Sequence, residues 1–500
     1  MKIPASISAI AILAACSPTS MQESTSGLAE GAEACAAMQG GRHGASSRWV
    51  GAVDGLPAYC EVTATLEPVD GSSIGVVYRF PENWNGKVLG LGGGGWAGNV
   101  TLAAASDGLG KRFATMQTDG GHPGTSVWEN DWVNQPEAAT DFAWRAVHEM
   151  TVTGKGMARR YYQRDHDRAY FQGCSTGGRM ALMEAQRFPD DYDAIVAGAP
   201  VYTLQVQTSA VLRSQTFASA NGSAAFSPAD LSLVQRSVLR ACDADDGLED
   251  GIINNPAACR WQPRQIQCSG AKNATCLAPQ QVTALTQAYQ GIRASDGSWS
   301  MHPMRRGGEE SWAMFVGVGG QGTSADPTRG GGLLGLERVI FAGQPVDWDA
   351  FSDADYQTIR ASDFARMYEA KDPDLSAFFE RGGKLMLWHG ESDPGPSPVL
   401  STDYARQVID GNAQATDQFR YFRLPGVGHC RGGPGADQVD LLAAMDSWVD
   451  TQSPPERLIG TNADSGITRP HCAWPNVAVY DGQGSANDPQ TWQCQPGALE

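Results

Sequence analysis

Apolar positions along this chain fall into runs of two periods. Residues 62–66 and 74–80 alternate apolar with polar side chains, as half-buried strands do. Residues 87–91 and 169–171 are short unbroken apolar runs that read as buried strands, and 113–118, 383–389 and 419–424 read as further strands. Between them lie stretches of helical period. Residues 140–162 are amphipathic, Met180, Ala181, Met183 and Ala185 are spaced for one helix face, and residues 436–451 predict a closing helix. Strands alternating with helices predict an α/β fold. From residue 201 to about 371 the pattern changes: helical stretches at 230–241 and 279–289 give way to irregular glycine-rich sequence at 307–335. This is read as an insertion forming a lid between a first core part, residues 32–200, and a second, residues 372–500. No internal repeat is evident.

Charge and cysteine content narrow the classes. A formal net charge of −18 over 500 residues argues against a nucleic-acid partner, because phosphate binding needs a basic face. Of eleven cysteines, setting Cys16 aside leaves ten, the even number of a disulfide framework in an exported chain. Neighbours in sequence suggest Cys35 with Cys60, Cys242 with Cys259, Cys268 with Cys276, and Cys472 with Cys494, which leaves Cys174 and Cys430. No Cys-x-x-Cys pair is present, which argues against zinc.

The first 15 residues read as a leader: Met1-Lys2, an apolar stretch from Ile7 to Ala15 too short to span a membrane, and small residues at its end. Leu13-Ala14-Ala15-Cys16 resembles the lipobox of bacterial lipoproteins, in which the cysteine is lipidated. Ser17 at the next position resembles the signal for outer-membrane delivery. Residues 16–31 then form a polar tether. The expected location is the outer membrane or periplasm, with membrane contact only through the anchor, and the chain is expected to be a monomer.

Chemistry concentrates around Gly173-Cys174-Ser175-Thr176-Gly177-Gly178. A strand precedes this Gly-x-Ser-x-Gly and a helix follows, so the glycines permit a tight turn that pushes the Ser175 hydroxyl outward. A nucleophilic serine needs a base, and the base an orienting acid. Asp393 follows the strand ending at His389, and His429 follows the next strand, which places both on loops at the edge where the serine turn lies. Ser, Asp, His is also the chain order of α/β-hydrolases. Thr176 N–H and an N–H of Gly94 or Gly95, in the glycine run after the strand at 87–91, would meet an oxyanion. Glu391 is a rival acid and His389 a candidate for substrate contact.

The segments 173–178, 390–394 and 428–430 resemble those of the tannase and feruloyl esterase family. That resemblance implies an α/β-hydrolase fold, hydrolysis of esters of aromatic acids, and a disulfide between the cysteine before the serine and the one after the histidine, here Cys174 and Cys430. The acidic run Cys242-Asp243-Ala244-Asp245-Asp246-Gly247-Leu248-Glu249-Asp250-Gly251-Ile252 offers hard oxygen donors, read from composition alone as either a solvated turn or a cation site. It is similar to the family's calcium loop, which implies a structural Ca²⁺ held by Asp243, Asp246 and Asp250 with the Leu248 and Ile252 carbonyls.

The expected activity is a serine esterase of hydroxycinnamic, feruloyl-type esters acting on a small aromatic ester. Gallate esters and mono(2-hydroxyethyl) terephthalate are alternative substrates. A surface-anchored phenolic-ester binding protein without turnover is the alternative outside catalysis. Trp312, Phe315, Phe341 and Trp348 are lid aromatics able to stack on an aromatic acid or to form the lid's own core. Arg305, Arg306, Arg329 and Arg338 are available to a substrate carboxylate, but Gly395-Pro396-Ser397-Pro398 after Asp393 lacks the aromatic residue of the terephthalate-ester enzyme.

Overall fold

The computed structural model describes residues 1, 31–41, 43–128, 130–313 and 333–498. At its centre is a nine-stranded sheet built from β1 (Ser46–Val50), β2 (Tyr59–Leu66), β3 (Ile74–Pro81), β4 (Lys87–Leu91), β5 (Ala114–Thr118), β6 (Arg168–Cys174), β7 (Ala194–Gly198), β8 (Lys384–Gly390) and β9 (Phe419–Leu424). Their spatial order is β1-β2-β3-β5-β4-β6-β7-β8-β9. Strands β1, β2, β3 and β5 pair antiparallel, and everything from β5 through β9 pairs parallel. The parallel strands therefore end at one common edge, where their connecting loops gather.

Period-two alternation within the parallel strands fills two separate cores. Val88, Phe171, Ile195, Leu385, Leu387 and Tyr421 face one layer, which also takes Met150, Tyr161 and Leu182 from the helices Ala146–Tyr162 and Thr176–Arg187. Leu89, Tyr170, Val196, Met386, Trp388 and Phe422 face the other, covered by Leu442, Met445 and Trp448 of the helix Leu441–Thr451. A strand covered on both faces needs apolar residues at successive positions, which is why these runs look unbroken in the sequence.

The structure departs from the predicted elements in three places. The closing helix begins at Leu441, where the Asp440 side chain accepts from Ala443 N–H, and residues 438–439 pair as a short strand instead. Strand β1, Ser-Ser-Arg-Trp-Val, was not anticipated: as a partly exposed edge strand it carries no apolar period. The amphipathic stretch from 140 contains a π turn at Asp141–Arg145, whose Phe142 and Ala143 carbonyls accept from the buried Arg179 guanidinium at 2.9 and 2.6 Å. That contact ties the helix after Ser175 to its neighbour.

Within 201–371, the segment from Phe217 to Trp312 has a core of its own, with Phe226, Leu231, Val234, Leu285 and Tyr289. Tyr202, Val211, Ile340, Phe351, Tyr356 and Phe364 on its flanks pack into the main core. Among the described residues no helix is long and apolar enough to cross a membrane.

Candidate active site

The turn after β6 has the geometry that its glycines permit. Ser175 sits at φ 63°, ψ −124°, a left-handed φ that costs a residue with a Cβ. Its N–H donates to Gly198 O at 2.9 Å, and its carbonyl accepts from Arg179 N–H and Val201 N–H. A Cβ at Gly173 would lie 2.4 Å from Gly177 O, and one at Gly178 would lie 2.3 Å from Gly198 O. Only glycine lets the backbone fold back this tightly. The helix that starts at Thr176 directs its first N–H groups to this turn.

The loops after β8 and β9 bring the other two groups to the serine. His429 Nε2 lies 2.9 Å from Ser175 Oγ, and His429 Nδ1 lies 2.6 Å from Asp393 Oδ2. The Gly395 N–H donates to Asp393 Oδ1 at 2.8 Å. Burial alone would raise the Asp393 pKa, but His429 and His389 outweigh it and hold the carboxyl at about 2. For His429, burial disfavours the imidazolium, and the adjacent carboxylate more than restores it, so its pKa ends above the ordinary value. Hydroxyl, imidazole and carboxylate in this series can deprotonate the hydroxyl as it attacks a carbonyl.

Cys174 and Cys430, which flank the serine and the histidine, are joined in a disulfide with their α-carbons 6.0 Å apart. The four sequence-local pairs are also disulfides, Cys35–Cys60, Cys242–Cys259, Cys268–Cys276 and Cys472–Cys494. Five disulfides are the mark of an exported chain. The glycine run after β4 packs onto the start of the helix after Ser175, where a Cβ at Gly92 would lie 2.4 Å from Gly177 Cα. Gly93 O also closes on Gly177, Gly94 and Gly95 come next in the run, and Thr176 is the first residue of that helix.

Several candidate contacts are employed elsewhere. His389 is not placed to touch a substrate: it is fully buried, with Nδ1 2.7 Å from Ser401 Oγ and Nε2 3.2 Å from Asp393 Oδ2. Glu391 cannot serve as the acid, because its carboxylate is buried between Arg305 at 3.1 Å and Arg423 at 3.3 Å. That pairing also occupies Arg305. Arg306 lies over the Tyr289 ring and donates to Trp261 O. Trp312 is 1% exposed and packs edge-on against Tyr289 in the lid core, so its ring is not a stacking platform. Trp348 stacks on Phe351 and meets Phe341 edge-on. Phe315 and Arg329 lie outside the described residues. Sequence reasoning missed Arg213, fully buried on the lid helix Gln205–Ala218, which donates to Gly395 O at 2.9 Å just behind Asp393. It belongs to no motif.

A groove of about 580 Å³ opens beside His429, walled by Gly307, Gly308 and Ser311 of the lid and by Ser392, Pro394 and Arg431 of the core. It is large enough for a small ester.

The acidic loop lies where the lid meets the C-terminal hairpin of Asn476–Tyr480 and Trp492–Pro496. Asp250 accepts from Arg469 at 2.6 Å, and Asn254 Nδ2 donates to Ala478 O at 3.1 Å. Burial pushes Asp246 up to about 7, and the neighbouring Asp250 and Asp243 carboxylates add to the push. Asp243 is raised too, first by burial and then by Asp250. Crowded carboxylates of this kind suit a hard dication. Among the described residues no three acidic, histidine or cysteine side chains form a ready-made metal cluster, so backbone carbonyls such as those of Leu248 and Ile252 would have to complete the set.

Residues 60–495 match the family described as tannase and feruloyl esterase. The mono(2-hydroxyethyl) terephthalate hydrolase of Piscinibacter sakaiensis is 33% identical, over 88% of this chain and 85% of that protein. Feruloyl esterase B of Aspergillus niger is 30% identical, over 87% of this chain and 86% of that protein. Among solved structures, feruloyl esterase B from Aspergillus oryzae superposes with a TM-score of 0.82 at 25% identity, covering 93% of this chain and 99% of that one. With the fold, the hydrogen-bonded serine, histidine and aspartate, and this match along most of its length, the chain belongs to the tannase and feruloyl esterase family and is a carboxylic ester hydrolase.

Proposed function

We propose that the chain hydrolyses feruloyl-type esters of hydroxycinnamic acids, through an acyl-enzyme on Ser175. The observation that carries the mechanism is the unbroken series Ser175 Oγ, His429, Asp393 at 2.9 and 2.6 Å. Ser175 Oγ attacks the ester carbonyl while His429 Nε2 takes its proton. The N–H of Thr176 and one from Gly94 or Gly95 receive the tetrahedral oxyanion. His429 then returns the proton to the leaving alcohol, and a water, deprotonated by the same imidazole, releases the acid. Asp393 keeps Nδ1 protonated and stabilises the imidazolium. Feruloyl esterases among the relatives support the acyl half. Arg305, one of the cations available to the free carboxylate of a terephthalate monoester, is committed to Glu391.

The test is a hydrolysis panel of methyl ferulate, methyl p-coumarate, methyl gallate and mono(2-hydroxyethyl) terephthalate on the purified protein. The expected order places ferulate and p-coumarate first. A kcat/KM for the gallate or the terephthalate monoester more than tenfold above that for ferulate would overturn the substrate class.

Two further readings go with this one. Asp243, Asp246 and Asp250, with the Leu248 and Ile252 carbonyls, hold a structural Ca²⁺ that neutralises the crowded carboxylates. Cys16, outside the described residues, carries a lipid anchor that places the enzyme at the bacterial outer membrane. Metal analysis of protein purified without chelators tests the first, and mass spectrometry of the N-terminal peptide tests the second.

A further inference from the structure

Two imidazoles converge on one carboxylate oxygen. Asp393 Oδ2 lies 2.6 Å from His429 Nδ1 and 3.2 Å from His389 Nε2. The nitrogen of His389 that faces Asp393 also lies 3.0 Å from Pro396 O. A carboxylate and a carbonyl can only accept, so Nε2 of His389 must carry a hydrogen and share it between them. In a neutral ring Nδ1 is then the lone-pair nitrogen, and the Ser401 hydroxyl 2.7 Å away, on the helix Pro398–Gly411, donates to it. Both His389 and Ser401 are fully buried, so water cannot replace either partner.

We propose that His389 is a positioning residue for the catalytic acid: its Nε2–H fixes Oδ2 of Asp393 and shares that oxygen with His429, and so sets how tightly His429 holds its proton. This rests on the reading of Ser175, His429 and Asp393 as the catalytic series. A carboxylate with two N–H donors on Oδ2 and the Gly395 N–H on Oδ1 can neither rotate nor give its full charge to one of them. Other charged groups face the pair. Arg213 approaches from the lid helix and His302 lies beyond it, against Ser209. Glu391 with Arg305 and Arg423 adjoins β8, and Asp403 belongs to the helix of Ser401. None of these donates to Oδ2.

Losing the His389 donor strengthens the hold of Asp393 on the His429 imidazolium. The base is then neutral only at higher pH. His389→Phe keeps the volume and removes the donor, whereas His389→Gln restores an N–H at about the same reach. The measurement is the pH dependence of kcat/KM for methyl ferulate, with circular dichroism and melting temperature as the check on folding. The acid limb of H389F is expected to move up by about one unit, which lowers kcat/KM roughly tenfold at a pH below the limb. H389Q should stay within about 0.3 unit of wild type. An H389F protein that folds with the wild-type limb would overturn the proposal, whatever its plateau rate. Should H389F fail to fold, the wild-type protein labelled with ¹⁵N-histidine decides. Nε2 of His389 is expected protonated with Nδ1 an acceptor, and the opposite tautomer would overturn the role. Turnover surviving Ser175→Ala would instead refute the catalytic series itself, a separate result.

Discussion

The catalytic edge of the sheet and the lid above it use similar residues to opposite ends. At the edge, chemically active side chains are held by backbone constraints: a serine forced to φ 63°, glycines with no room for a Cβ, and a disulfide that joins the neighbours of nucleophile and base. In the lid, three of the side chains that look available are already spent. Trp312 is core, Arg305 neutralises Glu391 and Arg306 covers Tyr289. The chemistry of the reaction is therefore written in the edge, while the identity of the substrate depends on what remains of the groove surface.

That division predicts its largest effect at Ser175. Ser175→Ala should fold with an unchanged melting temperature and lose on the order of 10³-fold or more in kcat. A serine-reactive phosphonate should label wild type at this residue and leave the variant unlabelled. Labelling at a different serine, with turnover intact, would move the chemistry away from the edge.

The two classes of disulfide give the next contrast. Cys174–Cys430 closes a separation of 256 residues, for which the chain-entropy model gives an upper figure of roughly 5–6 kcal/mol. Its greater importance is geometric, since a displacement of about 1 Å in a reacting group can cost around 10²-fold. Cys174→Ser with Cys430→Ser should lose about 10- to 100-fold in turnover at temperatures where circular dichroism shows it folded. Cys268→Ser with Cys276→Ser, a lid pair only 8 residues apart, should leave turnover within about twofold, as a change far from the reacting groups does. Equal losses in both variants would erase the distinction between edge and lid.

The pH profile sharpens the same side. His429 must be neutral to accept a proton, and Asp393 raises its pKa above the ordinary 6.5 despite burial. Turnover should therefore rise through a limb above pH 6.5 and reach a plateau on the alkaline side. Asp393→Asn removes the charge that raises it, so whatever activity survives should have its limb displaced to lower pH. A variant limb at or above the wild-type position would show that this carboxylate does not control the base.

How much of this was legible beforehand follows the same boundary. Ser175, Asp393 and His429 could be read because each stands just beyond a parallel strand, where the α/β architecture gathers loops, and because only glycine tolerates the turn around the serine. Four disulfides followed from proximity in sequence, whereas Cys174–Cys430 was expected only through the family resemblance. What escaped reading depends on packing between distant segments. His389 stands at the end of β8 and turns its ring back beneath the acid four residues later, and the sequence offers no sign of which way the ring faces. Arg213 reaches Gly395 from a helix 182 residues earlier. The fate of Trp312 was equally hidden, because a lid aromatic at a core position and one facing a groove have the same sequence signature.

The smallest expected effect on turnover comes from the acidic loop, and it probes the lid side alone. Asp243, Asp246 and Asp250 are crowded enough that their charges oppose one another, and the loop docks onto the C-terminal hairpin through Asn254 and onto the strand Thr468–Cys472 through Arg469 on Asp250. A bound Ca²⁺ would remove that repulsion in the folded state only, and a ligand selective for the folded state stabilises it by mass action. Chelation should accordingly lower the melting temperature by roughly 5 °C, the shift that one to three kcal/mol gives a large domain. At 25 °C, where the fold persists, kcat/KM should change by less than about twofold, because none of these groups reaches Ser175, His429 or Asp393. Asp246→Ala should show the lowered melting temperature without chelator and no further fall with it. If calcium is absent by elemental analysis and the melting temperature ignores chelation, the loop is a solvated acidic turn. If turnover collapses at 25 °C while the fold persists, the loop transmits to the edge and the two regions are coupled through the lid.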